Sequence, residues 1–134
     1  MKTQGATLLG VYTAGHYCVS VWTDPTAYGA RCCCDGITWE PAKGAEPVRG
    51  INMMVGLASE NLSDVVDGLI HESFEMACML LGYRYEPAPT MGNGADNYLF
   101  VFDHRQLEEI LGFVSLLFTD CSLDVQKAWR KAHQ

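Results

Sequence analysis

The spacing of hydrophobic and polar residues changes near residue 60. Before that point, residues 7–13 are apolar and β-branched, and residues 16–23 alternate between apolar and polar in the manner of a β-strand. Ala14-Gly15 lies between these segments and suits a tight turn. Residues 48–57 form a further apolar run, which two glycines weaken. The first part of the chain is therefore predicted to consist of strands, beginning with an antiparallel hairpin.

A second hairpin is predicted around Asp35-Gly36. This dipeptide is a favoured two-residue hairpin turn, and the flanking segments 28–34 and 37–40 supply its strands. Residues 41–47 are rich in proline, glycine and alanine, which predicts a loop.

Helical spacing begins after residue 60. From residue 61 or 63 to residue 81, apolar residues recur every three or four positions, which predicts a long helix with one apolar face. Gly82 is suited to end it. Residues 83–97 contain prolines and glycines and are predicted to form a loop.

The remaining residues predict a short strand and two helices. Residues 98–102 form the strand, and Asp103 with Gln106 forms a capping box that opens a helix through Phe118. Thr119, Asp120 and Ser122 interrupt the apolar pattern, so residues 123–132 are predicted to be a separate closing helix. The predicted fold is a single α+β domain over residues 1–134. It has N-terminal antiparallel β-hairpins, then a long helix, a short strand and two C-terminal helices.

The charge balance excludes some classes of partner. Nine Lys and Arg residues against sixteen Asp and Glu residues give a net charge of -7, which repels nucleic-acid phosphates. No run approaches the roughly 20 apolar residues of a membrane span, and the N-terminus has no clear signal-peptide cleavage site. We therefore expect a soluble, cytoplasmic protein with neither a nucleic-acid nor a membrane partner.

Six cysteines raise the alternatives of disulfides, packing and metal binding. Cys32, Cys33 and Cys34 are consecutive, and neighbouring cysteines in a strand rarely bridge because they point to opposite faces. We expect reduced thiols that pack as small apolar residues. Alternatively, Cys32 and Cys34 could bind a soft metal together with Cys18, or a thiol could pair with His16 as its base.

The long helix carries the most informative group of polar residues. His71 and Glu75 are four residues apart and therefore project from the same helical face, and Glu72 follows His71 directly. The simplest interpretation is that these residues form the solvated side of the helix. The alternative is a metal site, because imidazole and carboxylate groups at this spacing can bind one ion.

The sequence His71-Glu72-Ser73-Phe74-Glu75 resembles the HExxH helix of zinc metallopeptidases, with glutamate in place of the second histidine. Over residues 48–132 the order of elements also resembles small phage-encoded proteins of the metallopeptidase type. This resemblance implies a zincin-like domain that is a zinc-dependent peptidase or its inactive relative. It implies that Glu72 activates water as the catalytic base.

A third metal ligand would have to come from outside this helix. His104 is the best candidate because it opens the next helix, directly after the short strand. His71, Glu75 and His104 would then bind zinc and leave one position open for water.

A non-enzymatic alternative rests on size, charge and the loop after the long helix. Tyr83, Arg84 and Tyr85 have the composition of a protein interface. A small acidic protein of this kind could bind, or inhibit, one host protein through that loop. Either function would have a protein partner or a peptide substrate, and exposed hairpin edges would allow a homodimer.

Overall fold

The computed structural model describes residues 5–44, 49–83, 85–87 and 98–134, and it confirms the α+β class. A four-stranded sheet is covered on one face by two helices, and a two-stranded ribbon lies between the helices in sequence. The elements are β1 (Thr7–Ala14), β2 (Tyr17–Asp24), β3 (Ala30–Cys33), β4 (Ile51–Gly56), α1 (Leu62–Leu80), β5 (Tyr85–Pro87), β6 (Tyr98–Phe100) and α2 (His104–Ala132).

The four-stranded sheet has the order β1-β2-β4-β3. The first predicted hairpin is confirmed, with its turn one residue later, at Gly15 and His16. Gly15 has a φ of +62°, a conformation that glycine adopts without strain. β4 inserts between β2 and β3, running parallel to β2 and antiparallel to β3.

The predicted second hairpin is wrong. The chain does turn at Gly36, but residues 37–40 form no strand beside β3. β4 occupies that edge of β3, because its apolar residues can be buried on both faces of the sheet. Ile37 and Trp39 pack instead against Trp22 and Met54 on the face away from the helices.

Helix α1 confirms the predicted element and its end. Val65, Leu69 and Met76 are buried against the sheet at the spacing of one helical face. Gly82 has a φ of +76°, and the next amide, that of Tyr83, donates to the Cys78 carbonyl in the manner of a Schellman motif.

Helix α2 is one continuous helix, so the prediction of two C-terminal helices is wrong. The predicted capping box is present at its start, where Asp103 accepts from the Gln106 amide and Gln106 accepts from the Asp103 amide. The buried stripe runs on through Cys121 and Val125. Asp120 does not break the helix, because its carboxylate accepts a hydrogen bond from the amide of Thr13 in β1.

The strand predicted over residues 98–102 is present as β6. It pairs with β5, a strand that lies inside the segment predicted to be a loop. Residues 88–97 of that loop lie outside the described residues. Among the described residues, no helix is both long enough and apolar enough to cross a bilayer.

Candidate functional site

The contact between β3 and α1 brings together a thiol and two carboxylates. The Cys32 thiol donates to Glu72 Oε2 over 3.7 Å. One ligand atom from each of Cys32, Glu72 and Glu75 lies within 4.8 Å of the other two, and all three residues are half-buried. Within the described ranges, no other group of three or more His, Cys, Asp or Glu side chains is close enough together to hold one metal ion.

Packing at Gly68 allows this approach. A Cβ atom on Gly68 would lie 3.4 Å from the Cβ of Ala30, so the helix is already in van der Waals range of β3 there. Ala30 and Cys32 are two residues apart in a strand and therefore face the same side of the sheet. One turn beyond Gly68, Glu72 meets Cys32. The interpretation of this helical side as solvated is therefore wrong for Glu72 and Glu75, which β3 partly covers.

The group favours bound protons when no cation is present. Burial raises the pKa of Glu72 from its ordinary 4.5 to about 8, and the neighbouring Glu75 carboxylate adds to the effect. Burial also raises the pKa of the Cys32 thiol, with further contributions from the charges of Glu72 and Glu75. Three acidic groups that repel one another in a half-buried site are stabilised either by protons or by a cation.

His71 stands on the outer side of this group. Its Nε2 atom lies 3.5 Å from Glu75 Oε1, and its side chain is 65% exposed. Both residues line a cavity of about 300 Å³, whose apolar wall includes Ile70, Phe74 and Phe100. The Phe74 and Phe100 rings pack edge to face with their centroids 5.6 Å apart. The acidic group therefore has an open approach from the solvent along His71 and Glu75.

His104 is not part of the group. It lies at the start of α2, where its Nε2 atom is 3.1 Å from Glu108 Oε1, and its side chain is 84% exposed. The structure thus pairs His71 with Glu75 and places Glu72 beside Cys32. The ligand set of His71, Glu75 and His104 stays a prediction from the sequence, as does the catalytic role of Glu72.

The residues of the Cys32, Glu72 and Glu75 group suit zinc chemically. A thiolate and two carboxylates are donors that zinc accepts, and three protein ligands leave a fourth position of the tetrahedron for water. Magnesium and calcium prefer sites made of oxygen atoms alone. The sequence indicates Cys32 as a possible soft-metal ligand, but it does not pair Cys32 with Glu72, because no local signal shows that β3 packs across α1.

The other cysteine combinations predicted from the sequence do not form. All six cysteines are free thiols. Cys18 is exposed on β2, and β4 separates that strand from the β3 strand that carries Cys32. Cys33 faces the other way and donates to the Asp35 carbonyl over 3.1 Å. His16 is exposed in the β1–β2 turn.

Of the predicted interface residues, Tyr83 is half-buried against the core, and its hydroxyl donates to Glu109 of α2. That hydrogen bond raises the pKa of the Tyr83 hydroxyl. Arg84 lies outside the described residues, and for Tyr85 only its place in β5 is described.

Comparison with known proteins adds no relative. The chain matches no protein-family model, no curated protein and no solved structure.

Proposed function

We propose that the protein binds a divalent metal ion, zinc, between β3 and α1 and uses it for hydrolysis. The observation that carries the proposal is the convergence of Cys32, Glu72 and Glu75 within 4.8 Å at a half-buried position. The resemblance of the α1 sequence to a zinc helix supports a metal ion at this helix, and Glu75 is the ligand position that the resemblance and the proposed set share.

The electrostatics of the group support a cation. Apart from burial, the described neighbours that change the pKa of Glu72 are Glu75 and Cys32. Neither of them supplies a positive charge. A metal ion would compensate the charges of the carboxylates, and it would compete with protons for the same three groups.

The open side of the group supports hydrolysis as the use of the metal. A zinc ion with three protein ligands would polarise a carbonyl group and lower the pKa of a bound water molecule. Glu72 faces Cys32 and is therefore better suited to hold the ion than to act as the base. His71 borders the cavity beside Glu75 and is the better candidate to accept the proton.

Metal content tests the proposal directly. Untagged protein, purified without chelators and equilibrated with zinc, is expected to contain about one zinc ion per chain by elemental mass spectrometry. Cys32→Ser and Glu75→Gln should each lose most of that zinc, because each removes one of three ligands. The matched control is Cys18→Ser, which replaces an exposed thiol outside the group. Circular dichroism verifies that each variant is folded.

Two histidine variants separate this ligand set from the one predicted from the sequence. If Cys32, Glu72 and Glu75 bind the ion, His104→Ala and His71→Ala retain zinc, and only His71→Ala loses any hydrolytic turnover. Loss of zinc in both histidine variants would restore the sequence-based set and overturn the one proposed here. Absence of zinc from the wild-type protein would overturn both.

A second candidate function is binding to another protein without catalysis. It is favoured by three exposed apolar side chains near the cavity, those of Ile70 (43% exposed), Phe100 (43%) and Val101 (61%). If the protein contains no metal, Val101→Asp should abolish binding to such a partner and leave thermal unfolding unchanged. An unchanged affinity for that partner would exclude this surface.

A further inference from the structure

A second cavity lies at the opposite end of the sheet from the acidic group. It is an open groove of about 640 Å³ between the ends of β1 and β2 and the C-terminal half of α2. Its apolar surface includes Leu9, Leu57 and Ala128. A groove of this volume is in the range of small-molecule sites.

Two lysines give this groove a positive charge. Lys127 and Lys131 are one helical turn apart on α2, so both ammonium groups border the groove from the same side. Within the part of the chain that the structure describes, neither forms an ion pair. In a chain of net charge -7, two lysines at one groove form a local patch of positive charge.

A threonine hydroxyl at the groove supplies a second polar element. Thr23 is 5% exposed and lies on the same side of β2 as Val19 and Val21, the side that faces the helices. Its side chain forms no hydrogen bond with any described residue, yet the residue lines the groove. The hydroxyl is thus available to donate a hydrogen bond to a ligand in the groove.

The acidic residue at the groove does not cancel this positive charge. Asp124 also lines the groove, but its Oδ2 atom accepts a hydrogen bond of 2.8 Å from the hydroxyl of Tyr12. The Tyr12 contact directs that carboxylate oxygen toward β1. Two lysines and one aspartate line the groove, so its charged side chains leave a net positive charge next to an apolar surface.

We propose that this groove binds a small organic anion that has an apolar body, namely a carboxylate or a phosphate monoester. Lys127 and Lys131 bind its charged group, the Thr23 hydroxyl donates to one of its oxygen atoms, and Leu9, Leu57 and Ala128 contact its apolar part. This site is independent of the proposed metal site, so it is tested in the presence of a chelator.

Four probes test this chemistry by isothermal titration calorimetry with the full chain. Octanoate and octyl phosphate distinguish the two anion types, while octanol lacks the charge and inorganic phosphate lacks the apolar body. We expect saturable binding of at least one octyl anion, at least tenfold tighter than that of octanol and of inorganic phosphate. Equal binding of octanol and both anions, or no saturable binding, would overturn the proposal.

Variants locate the binding. Lys127→Gln with Lys131→Gln should weaken binding of the preferred anion at least tenfold, and Thr23→Val should weaken it as well. Lys43→Gln is the matched control, since it removes one exposed positive charge outside the groove. If the control weakens binding as much as the double variant does, the anion senses only net charge and the proposed site is wrong. Thermal unfolding of each variant verifies that it folds.

Discussion

Replacing Glu72 with glutamine tests the electrostatics of the acidic group in the metal-free protein. Glutamine has the shape of a protonated glutamate and can still donate toward Glu75 and accept from the Cys32 thiol. It cannot ionise. The wild-type free energy of unfolding should therefore depend on pH in a range where that of Glu72→Gln does not.

The sign and size of the effect follow from the pKa of Glu72. The folded chain favours the protonated carboxyl, since its pKa is about 8 instead of 4.5. The resulting stabilisation is complete below pH 4.5 and is lost as the pH rises toward 8. At about 1.4 kcal/mol per pKa unit the full difference is about 5 kcal/mol. Glu72 is only half-buried, so solvent screening reduces the expected loss to about 1–2 kcal/mol.

Urea denaturation in EDTA at pH 5, 6, 7 and 8, followed by tryptophan fluorescence, measures this difference. Glu72→Gln should gain stability relative to wild type as the pH increases, and the gain should be largest at pH 8. Glu60→Gln is the control, because Glu60 is exposed just before α1. Parallel pH profiles for wild type and Glu72→Gln would refute the raised pKa of Glu72. Added zinc should stabilise only the wild type of this pair.

Two further predictions concern the scaffold. Gly56→Ala should destabilise the protein by about 1–3 kcal/mol in urea denaturation, because a Cβ there would lie 2.4 Å from the Ala27 carbonyl oxygen, a backbone atom. Gly112→Ala, in open space on α2, should instead stabilise by about 0.5–1 kcal/mol, and equal effects would exclude the clash. Leu117→Ala should cost about 2–5 kcal/mol because Leu117 is fully buried. Leu116→Ala, at a 54% exposed position, should cost far less, and equal losses would contradict this packing.

Elements defined by neighbouring residues are predictable from the sequence. Four such elements depend on contacts between residues that are near one another in the sequence. They are helix α1, its end at Gly82, the capping box of Asp103 and Gln106, and the hairpin of β1 and β2. Such local signals also identify His71, Glu72 and Glu75 as a group of polar residues on one helix. Local signals do not include the contact between Asp120 and Thr13 of β1. For this reason the sequence predicts an interruption near Asp120, where α2 in fact continues.

Tertiary structure decides which side chains meet. Insertion of β4 beside β3 depends on pairing between segments about 20 residues apart, and a local hairpin signal at Gly36 cannot report it. The same packing brings Cys32 to Glu72, 40 positions along the chain, because Gly68 allows α1 to approach Ala30 closely. The sequence by itself therefore determined the helix and its candidate ligands. The contact between sheet and helix determined which of these side chains come together with Cys32, since burial and distance are properties of the folded chain.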